Sequence, residues 1–338
     1  MIHLDSDNGF GISVLAYGAT WASCRVPLRD GSRREVLLGC GESAYRLDPC
    51  YQGATIGRFA NRIRHGEFTC DGQHHQLDRN SAGHCLHGGA ASLAKRDWNI
   101  EEITSTRARF SIWSADGESG FPGQLTAEVT YSIDARDRSV TIEFLAAVDR
   151  PCPVSLTNHA YFNLDRSGGD CRQHRLRLAA SEFWPIDEDG VPVGQLAPVA
   201  GSPFDFRQPV RLDVALQAHP QLSLNRGYNH SFRLGPFAID PQSAERAAAE
   251  LFSSNGDLSM RVFTTLPALH VYTGNYLAGA PGRDGSVHAD YAGVALEAQF
   301  PPDSPNHPQW PTPDSILRPG AIYRHRTRFQ FDEPAAER

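Results

Sequence analysis

Two segments of the chain each place one ionisable side chain where a strand would otherwise be apolar. In Val154-Ser155-Leu156-Thr157-Asn158-His159-Ala160-Tyr161-Phe162-Asn163-Leu164, alternation puts Asn158, Ala160 and Phe162 on one face and Thr157, His159, Tyr161 and Asn163 on the other. A face of Thr, His, Tyr and Asn suits a hydrogen-bonding cleft better than a core. An imidazole near its ordinary pKa of ~6.5 can give or take a proton at neutral pH. In Gly293-Val294-Ala295-Leu296-Glu297-Ala298-Gln299-Phe300, the same periodicity turns Val294, Leu296, Ala298 and Phe300 inward and Ala295, Glu297 and Gln299 toward one cleft. Glutamate is rarely buried without a partner, and partial desolvation raises its basicity. One candidate general base and one candidate acid are the minimum for moving a proton from one oxygen to another.

Three further positions could serve that pair. His87 stands in Cys85-Leu86-His87-Gly88-Gly89, where two glycines permit close backbone approach. His84 and His87 form an HxxH spacing with Cys85 between them, yet a loop HxxH without a nearby carboxylate is not a convincing metal site. Arg58 and Arg62 flank Asn61 in Gly57-Arg58-Phe59-Ala60-Asn61-Arg62-Ile63, and the planar fork of an arginine suits paired oxygen acceptors.

The elements that must hold these groups read as strands. Val129, Tyr131 and Ile133 alternate with Glu128, Thr130 and Ser132; after a turn from Asp134 to Arg138, Val140, Ile142 and Phe144 alternate with Thr141 and Glu143. Such period-two runs, rich in β-branched and aromatic residues, predict a half-buried hairpin. Arg109–Trp113 and Arg261–Thr264 repeat the pattern. The run Ala244–Leu251 favours helix by propensity, but Ser254-Asn255-Gly256-Asp257 is a tight-turn signal, so Ala248–Thr265 is expected to form a hairpin. Seven prolines between Pro301 and Pro319 exclude regular structure there and predict an ordered surface loop. Without linker, repeat or low-complexity tract, residues 1–338 are expected to form a single all-β domain.

Composition narrows the partners. Hydrophobic residues make up 40% and charged residues 21%, enough for a large core and against disorder. A net charge of −7 with no basic patch argues against nucleic acid. No apolar stretch reaches the roughly 18 residues of a membrane helix. The opening Met1-Ile2-His3-Leu4-Asp5-Ser6-Asp7 is not a secretory signal, and seven scattered cysteines with no CxxC pair favour a reducing, cytoplasmic setting. Gly9-Phe10-Gly11 is too short to be a phosphate loop, and neither a metal nor an organic cofactor is expected.

Taken together, Gly57–Ile63, Leu86-His87-Gly88-Gly89, Thr157–Leu164 and Leu296-Glu297-Ala298-Gln299 resemble the aldose 1-epimerases (galactose mutarotases), most closely the bacterial cytoplasmic branch. Pro151-Cys152-Pro153, Gly201–Arg207, Tyr272–Tyr276 and Asp303–Pro308 extend the resemblance through the whole chain in family order. It implies a large antiparallel β-sandwich and interconversion of the α and β anomers of a free aldose, D-galactose and D-glucose being the usual substrates. It further implies that Glu297 takes the anomeric proton and His159 protonates the ring oxygen. His87 would orient the ring, Arg62 would hold hydroxyls, and Asn61 and Tyr161 would line the same cleft. The sequence leaves monomer and homodimer open.

One position departs from the family pattern. Gly227-Tyr228-Asn229-His230 carries asparagine where the family has an aspartate that accepts hydrogen bonds from sugar hydroxyls. Asn229 keeps a carbonyl acceptor but loses the charge, and a hydrogen bond to a charged group contributes on the order of 1.5–3 kcal/mol. Weaker binding or an altered sugar preference is expected. A non-catalytic carbohydrate-binding protein and a phosphosugar epimerase are the competing readings, the latter requiring Arg58, Lys95 and Arg96 to converge on the cleft. Glycoside hydrolysis would need a second carboxylate across the bond, and no acidic residue in the matching motifs is seen to fill that role.

Overall fold

The computed structural model describes residues 1–165, 169–213, 219–235 and 247–334. The expected hairpin is its central device. Leu125–Asp134 and Ser139–Val148 pair antiparallel, with Val129 opposite Phe144, Tyr131 opposite Ile142 and Ile133 opposite Val140. Those pairs are buried, so the predicted inner face is the real one. The hairpin lies within a nine-stranded sheet that runs from Asn99–Ile103 to Val210–Arg211. Ala249–Phe252 and Ser259–Thr264 also form a hairpin in this sheet, so sheet pairing overrides the helical preference of the alanines. Residues 244–246 of that alanine-rich run lie outside the described residues.

A six-stranded sheet faces the first, in the order Tyr161–Phe162, Val294–Gln299, Ala268–Tyr272, Asn229–Leu234, Ala180–Phe183, Ala197–Pro198. A four-stranded sheet built from residues 2–35 closes one side. The three are joined at one aromatic cluster. Trp21 of the four-stranded sheet lies 5.8 Å from Phe162 of the six-stranded sheet and 5.3 Å from Phe329 of the nine-stranded sheet, and Phe162 and Phe329 are 5.2 Å apart. Its indole N–H donates to the Ser23 carbonyl at 3.0 Å, so the buried ring leaves no polar group unpaired. The fold is thus the expected large antiparallel sandwich, with one continuous core between its layers. No helix among the described residues is long and apolar enough to cross a membrane.

The proline-rich segment is ordered but is not confined to the surface. Pro301 to Ser304 are buried, and Ile316–Leu317 pairs with Cys152–Pro153. The reason is Asp303, 1% exposed: its N–H donates to the Arg62 carbonyl at 2.7 Å, and its Oδ1 accepts from the Arg64 N–H at 2.8 Å. The segment is a brace behind a candidate site residue.

Because Trp21 fills the junction of all three sheets, Trp21→Ala is expected to cost about 3–5 kcal/mol of stability. Urea unfolding with a tyrosine or far-ultraviolet signal measures this, and a cost below about 1 kcal/mol would show that the sheets do not depend on the cluster.

Candidate active site

Register in the six-stranded sheet sets the site. Glu297 lies directly opposite His270 on Ala268–Tyr272, and His270 lies opposite Ser231 on Asn229–Leu234. Directly opposed side chains on one face have Cβ atoms about 4.5–5.5 Å apart, so a carboxyl, an imidazole and a hydroxyl form a row across three strands. Val294, Leu296, Ala298 and Phe300 belong to the main core, as their alternation predicts, while Glu297 opens into a cavity of about 200 Å³. Gln299 does not line this cavity.

His159 reaches the same cavity by a jog in the chain rather than by continuous strand. Thr157–Asn158 pairs with Thr55–Ile56, then Tyr161–Phe162 pairs with Val294–Ala295. Between them the chain changes sheet. Asn158 fixes the change: its Nδ2 donates to the Gly53 carbonyl at 2.6 Å and to the Tyr131 hydroxyl at 3.1 Å, and its Oδ1 accepts from the Ala160 N–H at 3.1 Å. The expected polar face is therefore only half correct. His159 and Tyr161 line the cavity, whereas Thr157 and Asn163 do not; the Asn163 amide is spent on the Gly169 and Ala292 carbonyls.

His159 Nε2 and Glu297 Oε1 are 3.6 Å apart, and both side chains are almost sealed from solvent. Tyr161 packs its ring 4.9 Å from the His159 ring and donates its hydroxyl to the Cys50 carbonyl at 3.1 Å, making it a wall of the pocket. His87 stands edge-on to His159 with 5.4 Å between ring centres. It occupies a run of three left-handed residues, His87, Gly88 and Gly89. A Cβ at Gly88 would meet the Gly57 carbonyl oxygen at 2.1 Å, so glycine is required for this loop to press against the neighbouring backbone. The His87 Nδ1 accepts from the Asn61 N–H at 3.1 Å, which leaves Nε2 to carry the proton of a neutral ring. Asn61 is itself left-handed, a conformation asparagine tolerates, and its Oδ1 accepts from the Arg62 N–H at 2.9 Å.

Burial sets the protonation of the site. Desolvation pushes the Glu297 carboxyl up to about 8 against the opposing pull of Arg62, so it is protonated at neutral pH. The same desolvation pushes the His159 imidazole down to about 4 and holds His87 and His270 well below the ordinary histidine range. The pocket thus holds one carboxylic acid and three neutral imidazoles. With one proton on the Glu297–His159 pair, either partner can act as acid while the other acts as base.

All seven residues singled out from sequence, Glu297, His159, His87, Arg62, Asn61, Asn229 and Tyr161, line this one cavity. Asn229 is not used as expected. Its carbonyl accepts from His270 Nε2 at 2.9 Å and its amide donates to Asn225 Oδ1 at 3.0 Å, so the acceptor expected to face a sugar is already engaged. Arg58 is turned away, bonding to Ser114 Oγ and to the carbonyls of Gly123 and Ala115. His84 is also elsewhere, 3.3 Å from Asp189. Tyr51, His270 and Tyr272 line the pocket and were missed. The alternation Ala268-Leu269-His270-Val271-Tyr272 places His270 and Tyr272 on one face and could have revealed them.

Residues 1–330 match the family model described as aldose 1-epimerase. Aldose 1-epimerase of Escherichia coli (strain K12) is 41% identical over 332 residues, covering 98% of this chain and 94% of that protein. Galactose mutarotase of Rattus norvegicus is 36% identical over 323 residues, covering 95% and 90%. Among solved structures, the aldose epimerase homologue from C. elegans superposes with a TM-score of 0.89 at 27% identity, covering 99% of each chain. Galactose 1-epimerase from Lactobacillus acidophilus gives 0.84 at 29% identity, covering 98% of this chain and 94% of that one. Matched along its length in both sequence and fold, the chain belongs to the aldose 1-epimerase family.

Proposed function

We propose that this protein is a mutarotase that interconverts the α and β anomers of a free aldose. The observation that carries the proposal is the His159–Glu297 pair, 3.6 Å apart and water-excluded, at the wall of a cavity lined by hydrogen-bonding groups. Inverting an anomer requires opening the hemiacetal. Glu297, as carboxylate, removes the proton of the anomeric hydroxyl; the freed electron pair forms the C1 carbonyl as the C1–ring-oxygen bond breaks, and His159 protonates the ring oxygen. Rotation about C1–C2 presents the other carbonyl face. On closure Glu297 returns its proton to the carbonyl oxygen and His159 recovers the proton of the attacking hydroxyl. Opening starts from carboxylate and imidazolium and ends at carboxylic acid and neutral imidazole, so the proton count of the pair never changes.

In this proposal His87 offers its Nε2–H to a ring or hydroxyl oxygen, Arg62 and Asn61 hold hydroxyls, and Tyr161 shapes the wall. A single catalytic domain in hexose metabolism follows. The free thiols of all seven cysteines support a reducing, cytoplasmic location. A phosphosugar substrate is less well supported. Arg58 is buried away from the pocket, Arg96 is paired with Glu118 at 2.7 Å, and Lys95 lies over the Tyr51 ring at 5.3 Å, so these three cations do not converge.

Polarimetry of freshly dissolved α-D-galactose and α-D-glucose tests the proposal, with Glu297→Gln as control. Loss of the base is expected to lower kcat by roughly 10²–10⁴-fold. Near wild-type turnover in that variant would remove Glu297 from the mechanism.

The pH profile is fixed by the proton count. Below about 4 both partners are protonated and no base remains; above about 8 neither is and no acid remains. We expect kcat/KM to form a plateau between these limits and to fall on both sides, measured in dilute buffer to suppress solvent catalysis. A single limb near 6.5 would mean that an exposed histidine is doing the work.

Stability should move in the opposite direction to activity. The folded-state pKa of Glu297 is raised, so its penalty on folding is absent below the unfolded value near 4.5 and grows until about 8. Glu297→Gln removes it. Its Tm is expected to exceed wild type at pH 9 by on the order of a few degrees, the gain fading toward pH 5. Equal Tm values at pH 9 would show the carboxyl to be solvated.

A further inference from the structure

A neutral sugar leaves one charge in the pocket unanswered. Arg62 lines the cavity, yet among the described residues its only side-chain hydrogen bond is a long one, Nη1 to Asn61 Oδ1 at 3.5 Å, and its buried Nε finds no partner there. Among the described residues no carboxylate lies within ion-pair distance of it. The two aspartates on the adjacent loop bond elsewhere, Asp187 to Arg64 at 2.7 Å and Asp189 3.3 Å from His84, and act on Arg62 only through space. Among the described residues Glu297 is the only acidic one lining the cavity, and burial keeps it protonated at neutral pH. Arg62 therefore enters the pocket with no carboxylate bonded to it, its charge tempered only from a distance by Asp189 and Asp187.

Asn229 shares that end. A Cβ built at Gly190 would stand 3.6 Å from both Arg62 Nη1 and Asn229 Nδ2, so the guanidinium and the amide face one gap that glycine keeps open. The Asn229 carbonyl is committed to His270 Nε2–H, a tautomer that fits the 2.8 Å contact in which Ser231 Oγ donates to His270 Nδ1. One amide hydrogen goes to Asn225 Oδ1, which leaves the second for a ligand. The gap thus presents the Arg62 guanidinium and one Asn229 amide hydrogen as donors. A hydroxyl both gives and accepts, whereas a carboxylate only accepts and forms the stronger, charge-assisted bonds with arginine.

We propose that the preferred substrate is an acidic aldose, a hexuronate, whose carboxylate sits between Arg62 and Asn229 while its anomeric centre lies between Glu297 and His159. The inference rests on the mutarotase proposal above and specifies its substrate class. It also accounts for asparagine at 229: an aspartate there would neutralise Arg62 and repel the substrate's carboxylate.

The test compares mutarotation of D-galacturonate and D-glucuronate with that of D-galactose and D-glucose at pH 7, by polarimetry and by NMR exchange of the anomeric protons. A KM for the hexuronates lower by about tenfold or more is expected, corresponding to one charge-assisted contact. Asn229→Asp and Arg62→Gln should each abolish that advantage, and the wild-type advantage should shrink with added salt. Equal or better use of the neutral hexoses by the wild type would overturn the inference while leaving the mutarotase proposal standing. Preference for a sugar 6-phosphate over both would overturn it in favour of a phosphate ligand. If no sugar is turned over, the mutarotase proposal falls. Calorimetric titration with D-galacturonate against D-galactose then still decides the charge preference of the pocket.

Discussion

A carboxyl and an imidazole 3.6 Å apart, both cut off from water, hold one proton between them over most of the accessible pH range. Everything else in the site answers to that constraint. An ionised pair in such a place would need further hydrogen bonds to offset its desolvation, yet Glu297 Oε2 and His159 Nδ1 are buried without partners. The pair accordingly rests in its neutral form. That form is the one that follows ring opening in the proposed cycle, so the protein is electrostatically matched to the open-chain aldehyde and the ring-closed sugar must draw the charges apart. Catalysis by selective stabilisation of the less stable species has this shape.

Two different folding problems had to be solved to bring the pair together. Glu297 is placed by ordinary sheet register on a central strand buried on both faces, where its position cannot slip without turning it into the core. His159 is placed by an interruption: the chain leaves one short pairing and enters another, and Asn158 satisfies the backbone groups freed by the change. His87 needs a third device, a left-handed run in which Gly88 lies against the Gly57 carbonyl. Precision comes from the Tyr131 hydroxyl as well. It receives Asn158 Nδ2 and donates to the Ala19 carbonyl, tying the bend at His159 to the central hairpin of the opposite sheet.

Much of this was legible in the chain. Period-two alternation marked the hairpin around Val129 and Phe144, and the turn at Ser254–Asp257 correctly outweighed helix propensity next to it. Lone ionisable residues in apolar strands marked His159 and Glu297. What alternation could not show is a strand that changes sheets partway, so Thr157 and Asn163 were assigned to a cleft they do not line. Proline content said that residues 301–319 are irregular but not that Asp303 would be buried as a brace for Arg62. His270 was missed for a plainer reason: its neighbours Leu269 and Val271 read as core, and it is the cross-strand register that places it between Ser231 and Glu297.

The unpaired charge at the far end also bears on the chemistry at the near end. Arg62 is the group that pulls the Glu297 carboxyl down, against desolvation. When an anion occupies the gap beside Arg62 and Asn229, that pull is cancelled, and the substrate's own negative charge adds to the effect. The Glu297 carboxyl is then pushed further up, so its carboxylate is a stronger base when formed and a less populated one. A neutral sugar exerts no such influence and leaves the base weakened by the arginine. In this proposal, recognition of an acidic aldose and the basicity of Glu297 are coupled electrostatically through Arg62.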